Sequence, residues 1–302
     1  MNNLDDILTT TPKGAPDEIK NGTSSYDKAS WAEQKQQERT QAYQMIDETA
    51  QKIATDGAML KNYLDVQSQF DRYSVANTLL ILAQKPKATR LADFNTWKEK
   101  EVFVKKGETG IIILEPGDEY TRDDGSIGVS YNTKKIFDVA QTNYKQATNS
   151  EIKKDERLLL KALMNNSPVA INGIDQLPGN VGASYNAETK EIQVRKGMTG
   201  TDTFRALSQE LSHAEMDKPG YNRNNCVLQA YCASYILCKR NGVDVSSFSF
   251  DQFPSYYKDM NVKEIRSDLS KIRDAANAIS SRMAKILEPQ KSQNKSKDEQ
   301  SR

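Results

Sequence analysis

The sequence is poor in the side chains that most often build metal and redox sites. Its 302 residues include one histidine and three cysteines. Cys226, Cys232 and Cys238 follow one another at intervals of six residues, a spacing typical of neither a C-x-x-C zinc knuckle nor a disulfide framework. We therefore predict that these cysteines are small apolar packing residues in a reducing compartment.

Long apolar runs and a strong net charge are also missing. No run approaches the roughly 20 apolar residues that cross a bilayer, and residues 1–6 lack the basic start and apolar core of a secretory signal. We expect a cytoplasmic protein with no membrane partner. The formal net charge is +1, so any nucleic-acid-binding role has to depend on a local patch.

Polar residues are concentrated at the two ends of the chain. Residues 1–35 and 288–302 carry too few apolar side chains to offset their ordering entropy, and we predict disordered tails there. Between them, helical periodicity alternates with short β-branched runs, which predicts an α+β fold. A polar stretch at 141–152 is predicted to link two domains, residues 36–145 and 151–287. The pattern predicts helices at 32–54, 75–84, 151–164, 203–216, 225–240 and 262–287, and strands at 111–114, 131–139, 183–186 and 191–194.

The single histidine lies in a near-match to a metallopeptidase motif. Residues 209–213 read Gln-Glu-Leu-Ser-His, which would be H-E-x-x-H if Gln209 were histidine. On a helix, positions 209 and 213 lie one turn apart and could reach one ion, with Glu210 beside them. The candidate residues are Glu210 as the catalytic base and His213 as a zinc ligand. Catalytic zinc needs three protein ligands, and the neutral amide of Gln209 is a poor replacement for imidazole.

The predicted motif helix also carries an apolar stripe. Phe204, Leu207, Leu211 and Ala214 recur at helical spacing, and Gln209 and His213 lie nearly opposite them. This pattern predicts that the motif side chains face a cleft or solvent, away from the main packing face.

A local surplus of basic residues lies in the first half of the chain. Between Lys85 and Gly110 there are seven Lys or Arg residues against four Asp or Glu residues. Aromatic residues such as Phe94, Trp97 and Phe103 lie among them. Cations that follow the phosphates and exposed rings that stack on bases, at roughly 1–3 kcal/mol each, are what a single-strand groove requires. The alternative is an ordinary solvated face with Trp97 and Phe103 in the core.

The same region contains several short, separated sequence motifs that are typical of one protein family. They are residues 70–81, Gln84-Lys85-Pro86, Ala88-Thr89-Arg90, Phe94-Asn95-Thr96-Trp97 and 104–108. This block resembles the N-terminal domain of the ArdC/LtrC-like antirestriction proteins of mobile elements. The resemblance implies a helix and small-sheet domain that binds single-stranded DNA, followed by a zincin-type metallopeptidase domain. The residues assigned to the strand are Arg72, Tyr73, Asn77, Lys87, Arg90, Trp97, Lys98, Lys105, Lys106 and Gly107.

The second half is similar to the minimal zincin arrangement of antirestriction and ImmA/IrrE-like proteins: a short sheet, a motif helix and another helix. The resemblance implies a glutamate ligand at the start of the second helix, yet residues 226–231 contain no acid. We therefore expect a metallopeptidase-like domain that is inactive, holds no cofactor and acts as a scaffold or protein-binding surface. The narrow apolar stripe of the predicted helix 262–287 offers a second docking surface, for a protein partner or for self-association.

Other readings of the motif stay open. An active zinc metalloprotease with unconventional ligands would use Glu210 and His213. A non-enzymatic module that binds a host defence protein would need neither metal nor DNA. In a purely structural alternative, Gln209, Glu210 and His213 form a hydrogen-bonded cluster that fixes helix packing.

Overall fold

The computed structural model of the protein describes residues 25–144 and 155–288. These two ranges form an α+β fold, which confirms the predicted class. The helices are α1 Ser25–Thr55, α2 Gly57–Gln69, α3 Val75–Gln84, α4 Phe94–Glu99, α5 Glu156–Met164, α6 Gly200–Met216, α7 Arg223–Asn241, α8 Pro254–Tyr257 and α9 Val262–Leu287. The strands are β1 Leu91–Asp93, β2 Ile111–Thr121, β3 Ile127–Asp138, β4 Ala170–Ile174, β5 Ala183–Asn186 and β6 Glu191–Arg195.

The strands form two small sheets of three strands each. The first has the order β1-β3-β2 and is antiparallel, with Ile111 of β2 opposite Ile136 of β3. Its hairpin turns at Gly125, whose φ of 80° is a conformation that glycine adopts without strain. The second sheet has the order β4-β6-β5, with β4 parallel and β5 antiparallel to β6. The predicted hairpin of strands near 183–186 and 191–194 is therefore confirmed.

Local signals place several helix ends where the sequence predicts them. Ser74 caps α3 by accepting a hydrogen bond from the backbone N–H of Asn77 at 3.2 Å. Asn261 caps α9 in a capping box with Glu264. Helix α9 spans the predicted range, 262–287, because its apolar residues recur at three- and four-residue steps.

One hydrophobic core runs through both predicted domains. Ile46 and Leu79 from the first half belong to the same buried cluster as Tyr235 and Leu269 from the second. The contact between α2 and α7 is reinforced where the Tyr235 hydroxyl donates to Asp65 Oδ1 at 2.7 Å. The two predicted domains therefore pack as one body in the described ranges. Residues 145–152 of the predicted linker lie outside the described residues.

The structure corrects two predictions, one about the N-terminal tail and one about the docking surface on α9. Residues 25–35 of the predicted N-terminal tail are part of α1, while residues 1–24 and 289–302 lie outside the described ranges. The apolar stripe of α9, from Ile265 to Met283, is buried in the core. That stripe already packs within the chain and cannot serve as the predicted docking face.

No helix in the described parts of the chain combines the length and apolar character that bilayer crossing requires.

Candidate functional site

The motif helix α6 is enclosed by α7 and by the second sheet. A Cβ at Gly182 would lie 2.8 Å from the Cβ of Ala206, so the glycine lets the start of β5 approach α6 closely. Strand β5 is an edge strand of its sheet, and one of its backbone N–H groups bonds to the helix. The N–H of Tyr185 donates to Glu210 Oε2 at 2.7 Å. The motif carboxylate thus accepts from a backbone donor of the sheet edge.

Glu210 is held by a second and stronger partner. Arg223, the first residue of α7, donates from Nη1 to Oε2 and from Nη2 to Oε1, each at 2.8 Å. The Glu210 side chain is buried, whereas the Arg223 side chain is 40% exposed. This pairing raises the pKa of the Arg223 guanidinium above its usual range. The Arg223 guanidinium therefore binds both carboxylate oxygens of Glu210, the residue that the motif assigns as the general base.

His213 is buried one turn further along α6. Its Nδ1 lies 2.9 Å from the Tyr221 hydroxyl, and its Nε2 is buried with no hydrogen-bond partner among residues 25–144 and 155–288. Burial lowers the pKa of His213 to about 4, so the imidazole is neutral at physiological pH. Burial also raises the pKa of Tyr221 to about 12, which keeps the facing hydroxyl protonated.

A third polar group closes this side of the sheet. The Tyr185 hydroxyl donates to Asp217 Oδ2 at 2.6 Å, and Lys190 Nζ donates to the same oxygen at 2.6 Å. The ammonium of Lys190 lowers the pKa of Asp217. Asp217 therefore has two partners already, and it is unavailable as a substitute metal ligand.

Gln209 does not join this cluster. It lines a separate cavity of about 330 Å³ beside Arg205, Tyr231 and Phe248. The predicted Gln209-Glu210-His213 cluster is thus replaced by two separate arrangements, one on Glu210 and one on His213. The prediction that the motif face lies away from the packing face needs correction, because Glu210 and His213 are both buried. The close approach of β5 and α7 covers the side of α6 opposite its apolar stripe.

These residues do not fit a three-ligand zinc or manganese site. His213 offers one buried nitrogen, but the Glu210 carboxylate is saturated by a guanidinium whose charge opposes a divalent cation. In residues 25–144 and 155–288, no group of three or more His, Cys, Asp or Glu side chains is placed to hold an ion. The donor set of this chain is therefore that of an ion-paired polar core.

The cysteines do not supply a nucleophile beside His213. Cys232 and Cys238 are buried, as predicted for packing residues, and Cys226 is partly buried. Burial raises the pKa of the Cys226 thiol and of the Cys238 thiol, the latter to about 12. A thiol with a raised pKa is a poor nucleophile and a poor metal ligand at neutral pH.

The ten residues assigned to a DNA strand fall into three groups. Trp97 is 1% exposed, and its Nε1 donates to the backbone oxygen of Phe137 at 2.9 Å. Asn77 is buried as well. Since a base needs an open ring face or a free amide, we leave Trp97 and Asn77 out of the candidate interface.

The side chains of Asn77 and Gln84 both form hydrogen bonds with the backbone of β2. Asn77 exchanges two hydrogen bonds of 2.8 Å with the backbone of Leu114, and Gln84 exchanges two of 2.9 Å with the backbone of Ile112. The two amides lie two turns apart on α3 and pair with alternate residues of β2, an edge strand. The two side chains therefore satisfy backbone groups of β2 that a neighbouring strand would otherwise bond.

The second group forms an open basic and aromatic surface around residues 138–144. The backbone of Lys105 bonds to Gln141, and that of Phe103 to Asn143. The Arg90 guanidinium lies 5.3 Å from the centre of the Tyr144 ring. Phe103 is 54% exposed and Tyr144 is 42% exposed. We call this set, Arg90, Phe103, Lys105 and Tyr144, the Arg90 surface.

The cations of this region form no ion pair with the described residues. The seven basic residues are Lys85, Lys87, Arg90, Lys98, Lys100, Lys105 and Lys106. In the part of the chain that the structure describes, none of them has a carboxylate oxygen within 4.0 Å. Lys87, Lys98, Lys106 and Gly107 are exposed. Tyr144 escaped sequence reasoning because it lies in a polar segment interpreted as a linker.

Arg72 and Tyr73 form the third group, in a depression beside α9. Arg72 is exposed and Tyr73 is half-buried, with its ring 5.8 Å from that of Phe70 in an edge-to-face contact. Together with Arg273 they line a cavity of about 630 Å³. These two candidates therefore lie in a groove that the sequence alone does not reveal.

Sequence comparison identifies the first half of the chain. Residues 33–163 match the family model of the N-terminal domain of anti-restriction factor ArdC. The match extends past the predicted boundary at 145 and includes most of α5. An uncharacterized protein of Bacillus anthracis is 24% identical over 292 aligned positions, which cover 77% of this chain and 49% of the relative. The chain thus spans about half the length of that curated relative.

Structural comparison extends the likeness to most of the chain. Two crystal structures of the antirestriction protein ArdC from the R388 plasmid match it, one metal-free and one Mn(II)-bound. Each match has a TM-score of 0.53 and 16% identity and covers 80% of this chain and 98% of the ArdC chain. Residues 33–163 are thus similar in sequence to the N-terminal domain of anti-restriction factor ArdC, and most of the chain shares the fold of the R388 plasmid protein.

Proposed function

We propose that this protein binds single-stranded DNA through the Arg90 surface. The observation that carries the proposal is the grouping of two exposed rings, Phe103 and Tyr144, with the cations of Arg90 and Lys105 around residues 138–144. Unpaired cations contact phosphates without first breaking an ion pair, and exposed rings stack on bases of any sequence. Lys87, Lys98, Lys106 and Gly107 are exposed within the same stretch of sequence and are further candidates for phosphate contacts.

The physical magnitudes favour single strands over duplexes. Each ring that stacks on a base contributes about 1–3 kcal/mol, and a paired duplex offers no open base face to Phe103 or Tyr144. Phosphate contacts alone would hold both forms in a salt-dependent way. A preference for single strands would therefore come from the two rings.

We infer that the half of the chain around α6 and α7 is a metallopeptidase-like scaffold without peptidase activity. The ion pair of Glu210 with Arg223 supports this, because it removes the general base that peptide hydrolysis would need. The positive charge of Arg223 beside Glu210 also opposes the approach of a divalent cation. In this proposal the scaffold packs α7 and α9 against the first half of the chain, which carries the Arg90 surface.

The biological role we propose is that of an antirestriction protein of a mobile element. The proposal is supported by the family of residues 33–163 and by the name of the R388 plasmid protein. Binding the strand itself would be the part of that role assigned to this chain.

Fluorescence anisotropy with a labelled oligo-dT tests the strand-binding proposal. We compare the wild type with Arg90→Gln/Lys105→Gln over a series of salt concentrations. The double variant should bind more weakly at every salt concentration, and the slope of log affinity against log salt should fall by about 1.4, since each single-strand phosphate contact adds about 0.7.

The matched control is Lys196→Gln, which removes an exposed lysine that directly follows β6 and lies outside the Arg90 surface. Its affinity and slope should equal those of the wild type. Equal affinities of the wild type and the double variant at low salt would contradict the proposal.

A further inference from the structure

Two neighbouring cavities lie along α9 and share two lining residues. One has a volume of about 520 Å³ and the other about 630 Å³, and both are lined by Ser74 and Arg273. Helix α9 forms one wall, and the start of α3 with the preceding turn forms the other. We call this depression the α9 groove. It is separate from both the Glu210 cluster and the Arg90 surface.

The groove has a strong positive bias. Its lining includes four cations, Arg72, Lys263, Arg266 and Arg273, and a single acid, Asp71. Within residues 25–144 and 155–288, Arg72 and Lys263 form no ion pair, whereas the other two cations do. Arg266 Nη1 lies 3.8 Å from Asp47, and Arg273 Nη2 lies 2.6 Å from Asp274. Arg72 and Lys263 are therefore available to an anionic ligand without the loss of an ion pair.

Hydroxyl groups and rings line the rest of the groove. Five serines contribute hydroxyl groups, namely Ser74, Ser267, Ser270, Ser280 and Ser281. Tyr43 and Tyr131 are exposed at one end, and Tyr73 lies at the other. Hydroxyl and guanidinium donors are the groups that contact phosphate oxygens along a nucleic-acid backbone.

One hydrogen bond links the chain segments that lead into the groove and into the Arg90 surface. Gln69 Nε2 donates to the backbone oxygen of Thr89 at 3.0 Å. Thr89 immediately precedes Arg90, and Gln69 lies three residues before Arg72 at the groove's end. This contact fixes the segment that carries Arg90 against the end of α2, from which the chain continues to Arg72.

We propose that the α9 groove binds the sugar-phosphate backbone of the same single strand that stacks on the Arg90 surface. The proposal rests on the proposed function of that surface and extends it to a second, mainly electrostatic subsite. Lys263, Arg266 and Arg273 lie outside residues 33–163, which match the ArdC N-terminal family. The second half of the chain would thus take a direct part in holding the strand.

A length series separates the two subsites. We measure anisotropy with labelled oligo-dT of about 8 and about 30 nucleotides, because single-strand sites span roughly 4–16 nucleotides per module. The variant Arg72→Gln/Lys263→Gln/Arg273→Gln should bind the long oligonucleotide at least about tenfold more weakly than the wild type. Its salt slope for the long strand should fall by about 2, since three phosphate contacts are removed. The short oligonucleotide, which prefers the rings, should lose less than about twofold.

Two controls keep the result interpretable. Lys271→Gln changes an exposed lysine of the same helix that lines a different cavity, beside Tyr221, and it should bind like the wild type. Arg72→Gln/Lys263→Gln leaves the ion pairs of Arg266 and Arg273 intact, so it tests the groove even if the triple variant unfolds. Thermal unfolding of each variant reports its folding.

Each outcome has one meaning. If the groove variants bind the long strand as tightly as the wild type does, the groove proposal is overturned while the Arg90 surface stands. If the short strand binds and the long strand gains nothing, the groove proposal falls in the same way. If neither strand binds the wild type at low salt, the proposed function itself fails, and the groove proposal fails with it.

Discussion

Arg223 binds both oxygens of the Glu210 carboxylate at 2.8 Å and thereby ties the start of α7 to the middle of α6. Its charge neutralises a carboxylate that is otherwise buried against β5. A buried carboxylate without a cation is costly. The pair therefore does for this fold what a bound cation would otherwise have to do, which is to compensate the charge of Glu210.

Removing Arg223 should destabilise the protein more than an ordinary surface substitution does. In Arg223→Ala the Glu210 carboxylate keeps only the Tyr185 N–H, so we expect a loss of about 2–3 kcal/mol in the free energy of unfolding, reduced by the partial exposure of Arg223. Denaturant unfolding measures it. The double variant Glu210→Ala/Arg223→Ala should lose less than the sum of the single variants by at least about 1 kcal/mol. Additive losses would contradict a coupled pair.

His213 should titrate far below an ordinary histidine. Burial lowers its pKa to about 4 from an ordinary 6.5, and the nearby Glu210 and Arg223 shift it in opposite directions. Between about pH 4 and pH 6.5, His213 is protonated in the unfolded chain but neutral in the folded chain. The stabilisation is therefore complete above about pH 6.5 and is lost progressively as the pH falls towards 4, by about 3 kcal/mol at most.

The chain has a single histidine, so one set of imidazole resonances in a proton NMR titration reports this pKa without assignment. A midpoint near 4, or no titration before the protein unfolds in acid, is the expected result. A midpoint near 6.5 would show that the imidazole is accessible to water.

Asn77 should matter for stability and not for DNA. Asn77→Ala leaves the backbone N–H and oxygen of Leu114 without partners at the edge of β2, which should cost about 2 kcal/mol in the free energy of unfolding. Its affinity for oligo-dT should equal that of the wild type under conditions where both are folded. A large loss of affinity without loss of stability would reassign Asn77 to the DNA interface.

Divalent metal ions should have little effect on the thermal stability of the wild type. Adding Mn²⁺ or Zn²⁺ should leave the unfolding temperature unchanged, because a ligand stabilises a protein only if it binds the folded state. The metal content of the purified protein, measured by mass spectrometry, checks the same point. Stoichiometric metal that disappears in His213→Ala would contradict the ion-paired site and revive the metalloprotease alternative.

The sequence predicted the elements well wherever periodicity was strong. Helix α9 and the hairpin of β5 and β6 follow from apolar spacing and turn residues, both of which are local signals. The continuous core was not predictable in this way, since a polar stretch near 145 looks like a domain boundary. Contacts such as Tyr235 with Asp65 join residues far apart in the chain, and no local pattern encodes them.

The candidate site was only partly visible for the same reason. The motif was found from its spacing, but the partner of Glu210 lies thirteen residues away, across the turn between α6 and α7. Trp97 is a large ring among cations, and composition does not tell whether such a ring is buried. Tyr144 is exposed and belongs to the Arg90 surface, yet it lies among polar residues that resemble a linker. Burial and long-range partners, which sequence patterns report poorly, decide these three cases.

The central claim is that exposed rings of the Arg90 surface hold a single strand, and substitution of both rings tests it most directly. Phe103→Ala/Tyr144→Ala keeps every cation of the surface, so it changes base stacking without changing charge. In an anisotropy titration with labelled oligo-dT we predict a loss of about 2–6 kcal/mol, at least about thirtyfold in affinity, with the salt slope unchanged. Affinity equal to that of the wild type, in a variant that remains folded, would contradict the account.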